Sequence, residues 1–156
     1  MNAQRSVVLV KPDGVQRGLI GEIINRFERK GLKLVGLKMI HLEPELLEAW
    51  YAHHKEKPFF KDLQRFMTSL PIVAMVWEGV NCIDAMRKLC GVTKGSEAEA
   101  GSIRGDYGMS MSNNLIHASD SEKSAEKEIS LMFDSEDIFE YAKDVELYVY
   151  SEEERA

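Results

Sequence analysis

The sequence predicts an α+β fold, a ferredoxin-like α/β sandwich in which helices cover a four-stranded antiparallel sheet. Three observations favour this class. The chain has 156 residues, of which 44% are hydrophobic and 29% charged, which is typical of one globular domain. Short apolar runs alternate along the chain with stripes of helical spacing. The longest apolar run, Ile72 to Trp77, is far shorter than the roughly 20 residues of a membrane-spanning helix.

The first half of the chain predicts two strands and three helices. Ser6 to Val10 is a short apolar run that a turn at residues 11–14 ends, as expected for a buried strand. Apolar residues at helical spacing from Ile20 to Phe27 predict a helix that ends near Gly31. Turn residues then bound one more predicted strand, Leu32 to Ile40, and two predicted helices, Pro44 to His54 and Phe59 to Met67.

The second half predicts the remaining strands and helices around one long loop. Ile72 to Trp77 is a predicted central strand, and a helical stripe from Cys82 stops at Gly91. Residues 92–113 contain glycines and no periodicity, and a loop of this length suggests function. The last predicted elements are a helix introduced by a capping box of Ser119 and Glu122, a short helix at 137–143, a strand from Val145 to Tyr150, and a charged, frayed tail at 151–156. Residues 1–156 thus form one predicted domain with its core at about 5–150.

Charge and cysteine usage exclude several classes of protein. The net charge of −6 and the pI near 5.3 argue against coating of nucleic acid and against binding to an anionic membrane surface. No signal-peptide core is present, so we expect a cytoplasmic protein. Cys82 and Cys90 lie eight residues apart, too far for a disulfide within one helix, and predict reduced thiols. The motifs of P-loop, Rossmann and protein-kinase sites are missing, and the histidines lack zinc-ligand spacing.

The segment Asn114-Leu115-Ile116-His117-Ala118-Ser119-Asp120 places a histidine between an apolar run and a predicted helix start. Its spacing alone leaves two interpretations open, a packed histidine or a nucleophile. A neutral imidazole has a free lone pair near pH 7 and can attack phosphorus. The N–H groups at the helix start can bind anionic oxygens.

Several charged residues near this segment permit both a structural and a functional interpretation. Lys11 follows a buried strand and can reach a cleft or remain on the surface. Arg87 lies on the outer face of its predicted helix, and Arg104 follows the long loop, where Asp106 is its simplest partner. Glu128 lies beside the apolar stripe of its helix, and spacing alone favours an exposed side chain.

At this point the motifs resemble those of one known family. The segment 114–120 is similar to the active-site signature of nucleoside diphosphate kinases, and the opening 10–22 is similar to that family's opening. Three further motifs match in register, and the resemblance covers about residues 5–150. These motifs are Lys57-Pro58-Phe59-Phe60, Ile103-Arg104-Gly105-Asp106 and Ser124-Ala125-Glu126-Lys127-Glu128-Ile129.

The resemblance implies transfer of the γ-phosphoryl group from a nucleoside triphosphate, typically ATP, to a nucleoside diphosphate. The implied mechanism is ping-pong through a phosphohistidine at His117, with Mg²⁺ carried by the nucleotide phosphates. Ser119 and Glu128 are expected to support this histidine. The implied substrate contacts are Arg87, Thr93 and Arg104 to the phosphates, Tyr51 and Lys11 near the transferred group, Lys11 and Asn114 to the ribose, and Phe59 with Leu63 and Met111 around the base. A phosphate contact by His54 is weaker, because family members vary there.

The resemblance also implies a homo-oligomer built from dimers, most often a hexamer. In this chain Gly95 and Ala100 stand where the family has prolines in a loop at subunit contacts. This difference predicts a looser loop that proline at residue 95 would tighten. A nucleotide-binding regulatory relative without turnover is the alternative function, and it is disfavoured because every matched catalytic position is filled. A nucleic-acid-binding role is disfavoured by the acidic net charge.

Overall fold

A computed structural model describes residues 2–155 and shows a four-stranded antiparallel sheet, which confirms the predicted α+β class. The strands are ordered β2-β3-β1-β4, so that the first and third strands of the chain form the centre. Both central strands carry continuous buried apolar runs because each of their faces is covered. The strands are β1 (Ala3–Val10), β2 (Lys33–Ile40), β3 (Ile72–Val80) and β4 (Ile116–Ala118).

Helices cover both faces of the sheet, and most begin where the turn residues predict. The long loop at 92–113 contains a 3-10 turn and a short helix that its weak periodicity did not reveal. The helices are α1 (Pro12–Gln16), α2 (Ile20–Lys30), α3 (Pro44–Trp50), α4 (Phe59–Met67), α5 (Cys82–Cys90), α6 (Ile103–Tyr107), α7 (Glu122–Met132), α8 (Glu146–Val149) and α9 (Glu152–Arg155). Two 3-10 turns, Gly95–Glu97 and Ser135–Asp137, complete the regular structure of the described residues.

Alternate residues of β1 point into two separate apolar cores. Val8 packs with α2 and α5 on one face, where the rings of Phe27 and Trp77 lie 5.3 Å apart. Leu9 packs with α3, α4 and α7 on the other face. This period of two is the geometry of a strand that is buried on both sides. Cys82 and Cys90 are both free and buried, as predicted.

The predicted strand from Val145 to Tyr150 is wrong, because these residues form the short helix α8 instead. Their apolar side chains cover the ends of other elements rather than pairing with a strand. Val149 lies over Gly31 at the end of α2, and the hydroxyl of Tyr150 accepts a hydrogen bond from the amide of Val80 at 3.2 Å. The fourth strand is the three-residue β4, which pairs with β1.

Three more local predictions at the C-terminal side are corrected. The predicted helix at 137–143 is absent from the described residues, since Phe139 donates its amide to Val35 of β2 at 2.8 Å. Helix α7 is capped by Ser121, which accepts from the amide of Ser124, and not by a box of Ser119 and Glu122. The tail predicted to fray forms the single turn α9, and residue 156 lies outside the described part.

The loop at 92–113 is held more tightly than its glycines suggest. The amide of Gly95 donates to Ser110 at 3.1 Å, and a Cβ at residue 95 would lie 2.4 Å from the carbonyl carbon of Gly108. Proline at residue 95 therefore does not fit this backbone, because it would lose the hydrogen bond and meet a main-chain atom.

Among residues 2–155 no helix is long and apolar enough to cross a membrane.

Candidate active site

The short strand β4 brings His117 next to the end of β1. Val8, Leu9 and Val10 pair with Ala118, His117 and Ile116, and the chain leaves β1 at Lys11. A cavity of about 250 Å³ opens at this edge. Six residues predicted for the site line it together, namely Lys11, Arg87, Thr93, Arg104, Asn114 and His117. Three of these six side chains, those of Lys11, Arg87 and Arg104, are lysine or arginine cations, which makes the cavity suited to an anion.

Lys11 is half-buried in the wall of this cavity rather than fully exposed on the surface. Its ammonium donates to the side-chain oxygen of Asn114 at 2.8 Å. Burial and the nearby Arg104 guanidinium lower the pKa of Lys11 to about 8, and the Asp13 carboxylate acts in the opposite direction. The Asn114 amide nitrogen in turn donates to the backbone oxygens of Thr93 and Met111, both at 2.9 Å. The ammonium is therefore fixed at the cavity wall, where a bound anion would add a further compensating negative charge.

Arg104 does not pair with Asp106, the simplest partner indicated by the sequence. Asp106 bonds instead with Arg26 at 2.6 Å. The guanidinium of Arg104 donates to backbone oxygens of Asn114 at 3.1 Å, Gly91 at 2.8 Å and Ile116. A guanidinium has five N–H groups, so two of them remain for a ligand in the cavity. Arg104 thereby joins the end of α5 to β4 and adds positive charge to the cavity.

His117 is held by a buried carboxylate. Its Nε2 lies 2.6 Å from Oε2 of Glu128, whose side chain is only 3% exposed, while that of His117 is 22% exposed. The second carboxylate oxygen of Glu128 accepts a hydrogen bond from Ser119 at 2.6 Å. Because an ionised carboxylate only accepts, Nε2 carries the proton and Nδ1 keeps its lone pair. Spacing alone favoured an exposed Glu128, and the structure shows the opposite because α7 packs this residue against β4.

A second cavity of about 240 Å³ adjoins the first, and His117 and Asp120 line both. Tyr51 and His54, two further residues predicted for the site, lie in its wall. Burial, and then the Glu128 carboxylate, raise the pKa of Tyr51 above its usual range, so the phenol stays protonated. The edge of the His117 ring meets Trp50 with ring centroids 4.8 Å apart, which fixes the ring plane.

The three residues expected around a base lie outside both cavities. Phe59, at the start of α4, is 50% exposed, and its ring centroid lies 6.0 Å from that of His54. Met111 is 58% exposed in the long loop, whereas Leu63 is partly buried against the core. The exposed ring of Phe59, beside His54, is available for stacking with a flat ligand.

Sequence reasoning missed three residues that shape this site: Trp50, Asp120 and Asp13. Trp50 positions the histidine ring, and Asp120 lines both cavities. Asp13 accepts a hydrogen bond from the amide of Leu115 at 3.0 Å. Asp13 lies in the motif of residues 10–22, close to Lys11, and Asp120 lies in the motif of residues 114–120, close to His117. This closeness in sequence to predicted site residues could have identified both aspartates. Trp50 gave no such signal, because a tryptophan at a helix end is usual in a core.

The donors in this cleft suit phosphate rather than a metal ion bound directly by protein. Among residues 2–155 no group of three His, Cys, Asp or Glu side chains is placed to hold a metal. The first cavity is lined by two arginines and a lysine, with Asp120 as its carboxylate. This arrangement fits Mg²⁺ that arrives on the oxygens of a polyphosphate, because such a metal needs few protein ligands.

Fold and site together define an α+β protein with a cationic cleft built around a carboxylate-held histidine. Comparisons with known proteins then identify the family. The family model for nucleoside diphosphate kinase matches residues 4–138. The chain is 50% identical over 147 residues to the nucleoside diphosphate kinase of Carboxydothermus hydrogenoformans, covering 94% of this chain and 99% of that one. It is 52% identical over 149 residues to that of Archaeoglobus fulgidus, covering 96% and 99%.

Solved structures agree with the sequence relatives. A halophilic nucleoside diphosphate kinase from Halobacterium salinarum, in complex with CDP, superposes with a TM-score of 0.93 at 47% identity, covering 96% of this chain and all of that one. A family member from Babesia bovis superposes with a TM-score of 0.91 at 45% identity, covering 94% and 99%. The chain belongs to the nucleoside diphosphate kinase family, and it is an enzyme of the phosphotransferase class.

Proposed function

We propose that this enzyme transfers the γ-phosphoryl group of a nucleoside triphosphate to a nucleoside diphosphate through a phosphohistidine at His117. One observation carries the proposal: Glu128 holds Nε2 of His117 at 2.6 Å, and the ring stands where the two cavities meet. The free Nδ1 lone pair can then face the cavity that Lys11, Arg87 and Arg104 make positive. The relative from Halobacterium salinarum that binds CDP supports a nucleotide ligand.

In the first half-reaction Nδ1 of His117 attacks the γ-phosphorus and an N–P bond forms. The bond from phosphorus to the β–γ bridging oxygen breaks, and the diphosphate leaves with that electron pair. In the second half-reaction a terminal oxygen of another diphosphate attacks the same phosphorus, and the N–P pair returns to Nδ1. Glu128 stabilises the positive charge that develops on the ring, as Ser119 holds its other oxygen.

The remaining residues are proposed to bind and align the substrate. Arg87, Thr93 and Arg104 hold the β- and γ-phosphates, and Tyr51 and Lys11 lie near the transferred group. Phosphoryl transfer requires mainly alignment and cations, so these residues contribute most of the stabilisation. Mg²⁺ on the phosphates would neutralise part of the charge that moves during transfer. Asn114 and Lys11 contact the ribose, while His54 adds a weaker phosphate contact.

Base recognition is proposed to be tolerant. Phe59 offers an exposed ring, and every base has a face that stacks on such a ring, with Leu63 and Met111 proposed to contact the base beside it. We expect kcat/KM values for ADP, GDP, CDP and UDP that lie within about two orders of magnitude, or ~3 kcal/mol. A wider spread would require a hydrogen-bonding contact to one base edge.

The decisive experiment traces the phosphate. Incubation with γ-labelled ATP and Mg²⁺ should give an acid-labile, alkali-stable label on His117, and added GDP should remove it as labelled GTP. His117→Ala should carry no label, while His53→Ala, a neighbouring histidine at the second cavity, should retain it. Label on the His117→Ala protein would overturn the assignment. Steady-state double-reciprocal lines should be parallel, as a ping-pong mechanism requires.

Assembly and location remain predictions that the family resemblance and the sequence supply. The proposed assembly is a homo-oligomer built from dimers, most often a hexamer, and the proposed location is the cytoplasm. Light scattering on the purified protein measures the subunit count directly.

A further inference from the structure

We propose that Asp13 is a positioning residue of this site, which fixes the turn at Leu115 and supplies the negative charge that faces Lys11 and Arg104. The inference deepens the proposed function and rests on it for its catalytic meaning. Three observations carry it: a hydrogen bond, a backbone conformation and a set of neighbouring charges.

Asp13 and Lys11 bind the same residue from two sides. One carboxylate oxygen of Asp13 accepts the amide of Leu115 at 3.0 Å, and the Leu115 oxygen accepts the amide of Lys11 at 2.9 Å. Between them, a Cβ at residue 14 would lie 2.9 Å from the Leu115 oxygen, so glycine there permits the approach. The short helix α1 is thus joined to the chain just before β4.

These two hydrogen bonds hold Leu115 in a strained backbone conformation. Its φ of 75° is in the left-handed region, which L-residues other than glycine, asparagine and aspartate rarely adopt. The side chain is fully buried, so the core also holds the residue in place. Leu115 lies between Asn114, which holds the Lys11 ammonium, and His117, so its conformation sets the distance between these two groups.

The Asp13 carboxylate also acts electrostatically on the cations around it. Its other oxygen is buried and has no hydrogen-bond partner among the described residues. The cations it faces are Lys11 and Arg104, whose pKa values burial lowers and the Asp13 carboxylate raises. The other charged or titratable groups at the cavity are Arg87, Cys90, His117 and Asp120. The Asp13 carboxylate therefore opposes part of the lowering of the Lys11 pKa that burial and Arg104 cause.

Lysine side-chain NMR tests this inference without any turnover. The free protein is labelled with ¹³C at lysine Cε and titrated from pH 6.5 to 11, with the Lys11 signal assigned from its loss in Lys11→Arg. In Asp13→Asn, which keeps an oxygen for Leu115 but loses the charge, we expect the Lys11 midpoint to fall by about one pH unit. Asp144→Asn removes an exposed carboxylate that lines neither cavity, and it should leave the midpoint unchanged.

A second variant separates the hydrogen bond from the charge. Asp13→Ala removes both, and it should lower the melting temperature more than Asp13→Asn does. An unchanged Lys11 midpoint in Asp13→Asn, or equal melting temperatures for the two variants, would overturn the inference. Phosphoenzyme formation by the unmodified protein is measured beside these titrations. Its failure would contradict the proposed function, while the Lys11 midpoint would still report on Asp13.

Discussion

The centre of the sheet and the cleft at its β4 edge share strand β1 but are built in opposite ways. Val7 to Val10 are fully buried and apolar, and each packs on a core formed by helices. The next residue, Lys11, is a half-buried ammonium, and Arg104, a second half-buried cation, lines the same cavity. Burial of apolar surface stabilises a fold, whereas burial of a charge costs free energy unless a partner compensates it.

The apolar cores stabilise the fold, and the cleft holds groups whose burial or conformation costs stability. The two apolar cores hold the strands, and the cleft keeps cations, a strained Leu115 and a buried Glu128 in place. Strain and buried charge of this kind persist only when the surrounding structure determines them. Substitutions in the two regions should therefore separate stability from catalysis.

The largest expected effect is on stability, from the core. Met75→Ala on the central strand β3 removes a fully buried side chain and should cost about 2–5 kcal/mol in the free energy of unfolding. kcat/KM at 25 °C for the folded fraction should stay unchanged, since Met75 lines neither cavity. Chemical denaturation measures the first quantity, and Met109→Ala, at a methionine that is 79% exposed, is the matched control. A large loss of kcat/KM would show that core and cleft are not separable.

The opposite result is expected in the cleft. Glu128→Gln keeps the volume but removes the charge that holds Nε2 of His117, and it should lower kcat about 10–100-fold, or ~1.4–2.7 kcal/mol. The melting temperature should change little, because the amide can still bond with Ser119. Glu126→Gln, an exposed position on the same helix, should leave kcat unaltered. Equal kcat values for the two variants would contradict the role of Glu128.

The affinity for a nucleoside diphosphate should depend on pH, because the cleft contains a titratable ammonium and the apolar cores do not. With the pKa of Lys11 at about 8, nucleoside diphosphate affinity should fall about tenfold from pH 7 to pH 9 as the ammonium loses its proton. Calorimetric titration measures this, and Lys11→Arg, which does not titrate here, should remove the decline. A decline that persists in Lys11→Arg would mean that another group controls binding.

The free energy of unfolding should also depend on the Lys11 proton, but it should rise with pH, whereas nucleotide affinity should fall. The folded-state pKa of Lys11 is lowered from 10.5, so the unfolded chain binds more protons between about pH 8 and 10.5. The contribution of Lys11 to stability therefore rises with pH across that window, because the cost of its buried charge is relieved. Chemical denaturation at pH 8 and at pH 10 measures the free energy of unfolding. Its increase between these two pH values should be smaller in Lys11→Met than in the unmodified protein, or absent.

The smallest expected effect concerns the long loop. Gly95→Pro should lower the melting temperature and cost at least about 1 kcal/mol, since the proline loses the bond to Ser110 and meets Gly108. Gly21→Ala, in helix α2 with open space around it, should instead raise the melting temperature. A higher melting temperature for Gly95→Pro would contradict this prediction and support the expectation from the sequence that proline tightens the loop.

Some of this protein follows from sequence patterns. Helical spacing from Ile20 to Phe27 and the turn residues before Phe59 gave helices that the structure confirms, because such patterns depend on local contacts. The motif around His117 indicated the family, which the family model confirms, since catalytic chemistry restricts residue types at fixed spacing. The same local reasoning failed at Val145 to Tyr150, where apolar residues cover α2 and β3 from outside the sheet.

The class of fold, most element positions and the residue types of the candidate site could be predicted from sequence patterns. That Ser119 binds Glu128 rather than caps a helix, and that Arg104 binds backbone oxygens rather than Asp106, is visible in the folded chain alone. The folded chain also shows that Asp13 reaches Leu115, 102 positions along the chain. The physical reason is that such bonds join segments far apart in sequence, so local spacing carries no information about which polar group finds which partner.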